Sequence, residues 1–270
     1  MNIGKSFSFV FEDPRWVTKV AIGTLVLILS SLLSSILVGI LGYFIIAGYG
    51  LEVLRNVRKG ELYPMPEWRD RWGEWLVLGV KAAVAVLVWS LPAIIIALPM
   101  GVGFALMGNN DSTAMAGGLL AAGFGCLAVI WSVIVMLATP AIYIRLAESE
   151  DLGSAFRFGE ILAFTRQHLG NVIVAAIMVL VASAVMFTIG AIVGMILCVV
   201  GLLVTLPAAQ FLTTMIQSHL YGQIGLGARP WETSIVPEQY IPEPPAAPSV
   251  YEAPAEVAVE PVDVTPENPS

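Results

Sequence analysis

Apolar residues in this chain are gathered into four long stretches without Asp, Glu, Lys or Arg: 20–51, 82–110, 112–144 and 167–228. An α-helix rises about 1.5 Å per residue and the hydrocarbon core of a bilayer is about 30 Å thick, so about twenty residues make one crossing. The second and third stretches allow one crossing each, and the fourth, with 62 residues, requires two. The pattern predicts an all-α integral membrane protein.

The first stretch, with 32 residues, is too long for one straight helix and barely long enough for two. Its centre is rich in Ser and Gly, which permit either a tight turn or a kink, so a hairpin and one long kinked helix are both open. The charges favour the hairpin, because all thirteen Lys and Arg residues then lie on one side of the membrane or at its boundary. Since Lys and Arg concentrate in cytoplasmic loops, we expect about six transmembrane helices in the cell membrane, with both termini cytoplasmic.

Each predicted hairpin follows an aromatic stretch of mixed charge: FSFVFEDPRW, PEWRDRWGEW and SAFRFGEILAF. Amphipathic segments of this kind lie in the headgroup layer. The sequence therefore predicts three units, each a cytoplasmic interfacial segment followed by a helical hairpin. They cover residues 1–60, 61–150 (entered through a turn or helix) and 151–228 (entered through an amphipathic helix).

The last segment, 229–270, has a different composition from the rest. It holds ten of the seventeen prolines and eight of the twenty acidic residues, with one basic residue. Such a composition cannot bury a core, so we expect a disordered, acidic tail.

One group of polar side chains inside the apolar stretches shares a helix face: Gln210, Thr213, Thr214 and Gln217, at positions i, i+3, i+4 and i+7. This face is interpreted either as the lining of a polar groove or lipid-headgroup pocket, or as a source of ordinary hydrogen bonds between helices. All Asp, Glu, Lys and Arg residues lie outside the apolar stretches, which argues against an ion-coupled transporter.

A basic and aromatic cluster lies between the first two hairpins. Its members are Arg55, Arg58, Lys59, Trp68, Arg69 and Arg71. Interleaved carboxylates favour an ion-paired cytoplasmic cap over a patch that contacts anionic lipid, although membrane lipids remain expected partners. The cluster is too small and too neutral for nucleic acid.

The sequence shows no catalytic, cofactor-binding or metal-ligating constellation. Cys126 and Cys198 lie within apolar stretches, and His168 and His219 lie near the predicted interface without further ligands at metal-binding spacing. Transfer or cleavage chemistry needs a positioned nucleophile or acid–base pair. We therefore expect a non-enzymatic protein without a cofactor.

Several residues of segment 48–79 resemble the GY…R…G…LPEW…G signature of a family of multi-pass membrane proteins, domain of unknown function 4013. The matching positions are Gly48-Tyr49, Arg55, Arg58, Gly60, Pro66-Glu67-Trp68 and Gly79. The resemblance extends over about residues 5–225 and implies a prokaryotic cytoplasmic-membrane protein. It implies no activity and no functional residues.

The preferred functional interpretation is an adaptor or organiser of a membrane complex, with a protein partner bound by the acidic tail or the cytoplasmic cap. The alternative is a transporter or channel-like facilitator for a small or apolar solute, whose path follows the face that begins at Gln210.

Overall fold

A computed structural model describes residues 1–69, 71–108, 111–197 and 200–226, and these contain helices and turns but no strand. The eight α-helices are α1 (Ile3–Glu12), α2 (Trp16–Leu33), α3 (Gly39–Lys59), α4 (Trp72–Met107), α5 (Asp111–Ser149), α6 (Phe158–Gln167), α7 (Leu169–Ile196) and α8 (Leu202–Gly222). The predicted all-α fold is confirmed. The predicted disordered tail, Arg229–Ser270, lies outside the described residues.

The first apolar stretch folds as a hairpin of α2 and α3 rather than as one kinked helix. After α2, the 3₁₀ turn Ser34–Ile36 leads to Leu37, whose left-handed backbone (φ 61°) reverses the chain. The two helices then pack side by side, and the hydroxyl groups of Ser31 and Tyr43 lie 2.9 Å apart.

Five helices of the described chain are long and apolar enough to cross a membrane: α2, α3, α4, α5 and α7. The sixth predicted crossing corresponds to α8, whose 21 residues extend over about 31 Å. α8 is not among these five, because the Gln and Thr residues of the predicted polar face lower its hydropathy. It packs against α2, α3 and α7, which bury most of its second half.

Charged side chains collect at one end of the bundle, called here the charged end, where α3, α5 and α8 finish and α2 and α4 begin. Of the three predicted interfacial segments, the first forms α1 and the third forms α6, preceded by the 3₁₀ turn Leu152–Phe156. The second is divided: residues 66–69 belong to a loop, residues 61–69, which we call the cap loop, and residues 72–75 form the first turn of α4.

α3 ends where the cap loop begins because Gly60 adopts a left-handed conformation, with φ 76°. Its N–H donates to the Val57 carbonyl, and the N–H of Glu61 donates to the Asn56 carbonyl. This pair of bonds is a Schellman motif, which glycine favours because it lacks a Cβ atom.

Candidate functional site

The cap loop is anchored through three consecutive backbone carbonyls, those of residues 64–66. In chain order they accept hydrogen bonds from the Asn56 amide (2.9 Å), the Lys19 ammonium (2.7 Å) and the Tyr49 hydroxyl (2.9 Å). The donors come from α2 and α3, and each is buried. Two of the three loop residues are prolines, which lack an N–H and do not continue a regular helix. The carbonyl groups of the loop therefore take their hydrogen bonds from these side chains.

Aromatic rings fix the second half of the cap loop. Trp68 stacks on Tyr49, with ring centroids 4.4 Å apart and planes inclined by 11°, and it meets Trp75 edge-on at 5.2 Å. Its indole N–H donates to the Lys19 carbonyl at 3.0 Å. The Pro-Glu-Trp motif therefore positions a ring over Tyr49 at the base of the loop.

A buried ion pair lies beneath the loop. The Lys19 ammonium lies 2.6 Å from Asp13 and 2.8 Å from Glu67, and the Lys19 and Asp13 side chains are each only 4% exposed. Arg15 pairs with Glu67 at 2.9 Å from the solvent side. Buried opposite charges stabilise a structure only when each is paired and hydrogen-bonded, as both are here.

Two glycines allow α3 and α4 to touch backbone to backbone below the cap. A Cβ atom at Gly48 would lie 1.9 Å from the Trp75 carbonyl oxygen, and one at Gly79 would lie 1.8 Å from the Phe44 carbonyl oxygen. Neither position can accept a side chain without moving a helix, which explains glycine at both family-like positions.

Arg55 and Arg58 join the end of α3 to the ends of two other helices. Arg55 donates to the Ala147 carbonyl at 2.6 Å, near the end of α5. Arg58 donates to the carbonyls of Gly222 (3.3 Å) and Ile224 (2.9 Å) at the end of α8. Cations at helix C-termini satisfy free carbonyls and oppose the negative end of the helix dipole.

The other predicted cap residues differ in their contacts. Arg71 forms a two-point ion pair with Glu52 (2.7 and 3.2 Å), and this hydrogen bonding, with a further one to Glu74, raises the pKa of Arg71 above its ordinary value. Lys59 and Arg69 are exposed, and the described part of the chain supplies neither with an ion-pair partner. Four members of the cluster thus contact other parts of the protein through their side chains, and the two cations Lys59 and Arg69 face outward.

The predicted polar face of α8 is divided by the structure. Gln210, Thr214 and Gln217 line one cavity of about 230 Å³, together with Ser218 and the tyrosines of α3 and α5, Tyr43 and Tyr143. Thr213 does not line it. Its hydroxyl is buried elsewhere and finds no hydrogen-bond partner within the described residues.

A second cavity of about 140 Å³ continues along α8 and shares Leu27, Tyr43 and Gln210 with the first. The Gln210 side chain is exposed, and across the described ranges no protein group hydrogen-bonds its amide. We refer to the two cavities together as the α8 groove.

Sequence reasoning missed most partners of these sites. In the sequence, Asp13 and Lys19 resemble ordinary charges at the boundary of the first apolar stretch. Nothing in their spacing indicates a buried ion pair. Tyr43 had a weak signal, since it lies in a stretch otherwise composed of apolar and small residues. Neither the buried pair nor the position of Tyr43 in the groove follows from periodicity alone.

His219 ties α1 to α8 and is buried rather than solvated. Its Nδ1 lies 2.8 Å from the Ser6 hydroxyl and 2.9 Å from the Gln223 amide, and Phe9 stacks on its ring. Ser6 and His219 are both buried, so this contact lies inside the protein. Over the residues that the structure describes, no group of three or more His, Cys, Asp or Glu side chains is placed to hold a metal ion.

Residues 29–199, more than half of the chain, match the family described as "Protein of unknown function (DUF4013)". The match confirms the resemblance and includes the signature positions of the cap loop, α3 and α4, though it is shorter than the 5–225 expected. No curated protein and no solved structure matches the chain. The chain therefore belongs to the DUF4013 family of proteins of unknown function.

Proposed function

We propose that this protein is a non-enzymatic facilitator that lets a small uncharged molecule move along the α8 groove. The observation that supports this function is continuity, since the two cavities follow one helix and share Leu27, Tyr43 and Gln210. Hydrogen bonds between packed helices would need no such space.

The groove extends over much of the membrane thickness. The smaller cavity begins at Leu206, near the start of α8, and the larger one reaches Ser218, toward the charged end. These residues are about 18 Å apart along the helix, more than half of a hydrocarbon core about 30 Å thick. Tyr43 lines both cavities and contacts Ser31, so it lies where the cavities meet.

The side chains that line the α8 groove disfavour charged molecules. Amide, hydroxyl and apolar side chains line both cavities, and neither lining contains Asp, Glu, Lys, Arg or His. An ion would lose its hydration there without gaining a counter-charge, whereas an uncharged polar molecule would exchange water for the available hydrogen bonds.

The test is glycerol permeability in vesicles reconstituted with the full-length protein, followed by light scattering after an osmotic step. We expect faster glycerol entry than in protein-free vesicles, and loss of that increase in the double variant Gln210→Leu, Gln217→Leu. Gln167→Leu is the matched control, because Gln167 is exposed at the end of α6, outside the groove. Equal permeability of the double variant and the wild type would refute the proposal.

A second candidate function, an adaptor of a membrane complex, is favoured by the exposed tip of the cap loop. Leu62 and Tyr63 are 70% and 44% exposed although the loop beneath them is firmly anchored. With the charged end in the cytoplasm, as the Lys and Arg bias favours, this tip would face cytoplasmic proteins, and the acidic composition of the tail would suit a basic partner.

Purification in mild detergent tests the adaptor function, by comparing the full chain with a form that ends at Gly227 and with a Leu62→Ser, Tyr63→Ser variant. A protein retained by the full chain and lost from either altered form would support docking. Isolation of all three forms without any retained protein, even after crosslinking, would contradict it.

A further inference from the structure

We infer that the ligand of the α8 groove is an amphiphile with an uncharged, hydroxyl-bearing head, which enters sideways from the bilayer and leaves its apolar part in the lipid. This inference rests on the proposed function, because it uses the same groove, and it names the class of molecule that the groove takes.

The size of the groove limits what it can hold. Its two cavities measure about 230 and 140 Å³, and together they lie near the lower end of the roughly 300–1,000 Å³ of a typical small-molecule site. That space suits a compact polar head, whereas acyl chains attached to such a head would extend beyond the groove.

The exposed position of Gln210 provides the entrance. Gln210 lies two helical turns from Leu203, which with its neighbour Val204 is exposed on the same part of α8, at 58% and 53%. Helix surfaces of this apolar character face hydrocarbon in a membrane protein. A chain attached to a head at Gln210 would thus lie along an apolar helix surface.

The hydrogen-bonding groups of the lining match a hydroxyl head. The Gln210 amide offers both donors and an acceptor, and the described residues satisfy neither. Thr214 donates to the Gln210 carbonyl, so its oxygen remains available only as an acceptor. Hydroxyl groups donate and accept at once and can satisfy both side chains, whereas a phosphate would meet no cation in either cavity.

The inference is tested by native mass spectrometry of the full-length protein titrated with glucosyl dioctanoylglycerol. The comparison lipid is dioctanoyl phosphatidylglycerol, which has the same acyl chains and an anionic head, and free glucose serves as competitor. We expect the glucosyl lipid to bind at least about tenfold more tightly than the anionic lipid, and Gln210→Leu to weaken it by about tenfold. Gln167→Leu should bind like the wild type.

Three results would overturn the inference: equal binding of the two lipids, unchanged binding by a folded Gln210→Leu variant, or displacement of the lipid by an equal concentration of glucose. The lipid comparison uses the wild-type protein, so it decides the question even if a variant does not fold. Glycolipid binding without glycerol permeability would refute the proposed movement of small molecules along the groove, but the inferred ligand class would stand. Glycerol permeability without glycolipid binding would support that movement and refute the inferred ligand class.

Discussion

Replacing Lys19 by Met tests whether the buried ion pair holds the charged end together. The change would leave the Asp13 carboxylate, 4% exposed, with the Arg15 backbone N–H as its remaining hydrogen bond among the described residues. It would also remove the donor to the Met65 carbonyl in the cap loop. Removing one partner of a buried pair costs about 3–5 kcal/mol, because the other charge stays buried without compensation.

The expected loss is large enough to measure as a fall in thermal stability. For a chain of this size about 2–4 °C corresponds to 1 kcal/mol, so the midpoint should fall by roughly 6–20 °C. The assay is intrinsic fluorescence of the seven Trp residues during heating in detergent. Three of them, including Trp68, lie in or beside the cap loop, so the signal reports on this region directly.

Lys5→Met is the matched control, because Lys5 pairs with Glu12 on the surface, where both side chains are about 40% exposed. Exposed pairs contribute little, so its midpoint should hardly move. Adding Asp13→Asn to Lys19→Met should cost less than the same change in the wild type, since it removes the stranded charge. Equal midpoints for Lys19→Met and Lys5→Met would refute the reasoning.

Three further predictions concern α3, the cap loop and topology. Gly48→Ala should destabilise the protein by about 3 kcal/mol or more, since its Cβ would collide with the backbone of α4. Its effect is measured as a fall in the melting midpoint. Gly73 has open space around it, so Gly73→Ala should leave the midpoint unchanged. Tyr49→Phe removes the hydrogen bond that the buried Tyr49 side chain donates to the cap loop and should cost about 1–3 kcal/mol by the same measurement. In a cysteine-free background, a membrane-impermeant thiol reagent applied to intact cells should label Ser35→Cys and spare Tyr63→Cys, and the opposite result would reverse the proposed orientation.

Helix positions followed from the sequence because charge and length are strong local constraints. An uncharged run that enters hydrocarbon must pair its own backbone groups, so it becomes helical, and charges mark where it leaves the membrane. On that basis the stretch 20–51 predicts a hairpin whose turn lies in its Ser- and Gly-rich centre. The structure has Trp16–Leu33 and Gly39–Lys59, with the turn at Leu37. Gly60 likewise marks the end of α3, as its left-handed conformation requires.

The aromatic and charged residues of the second interfacial segment suit an amphipathic helix as well as a turn. The prolines of the cap loop prevent a regular helix there, and the donors that stabilise the loop are on α2 and α3. Lys19 donates to the carbonyl of Met65, 46 positions later in the chain, and Tyr49 donates to that of Pro66, 17 positions later. No local pattern encodes contacts over such separations.

The sequence by itself therefore determined the all-α membrane class of the protein, the family to which it belongs, the first hairpin and the polar residues on α8. Only the tertiary structure decided which members of that face meet a cavity. Thr213 and Thr214 are neighbours in the sequence, yet successive helical residues point about 100° apart, and only Thr214 lines the groove. The side of α8 that borders the groove is set by how α2, α3 and α5 pack around this helix. That packing depends on residues far away in the chain.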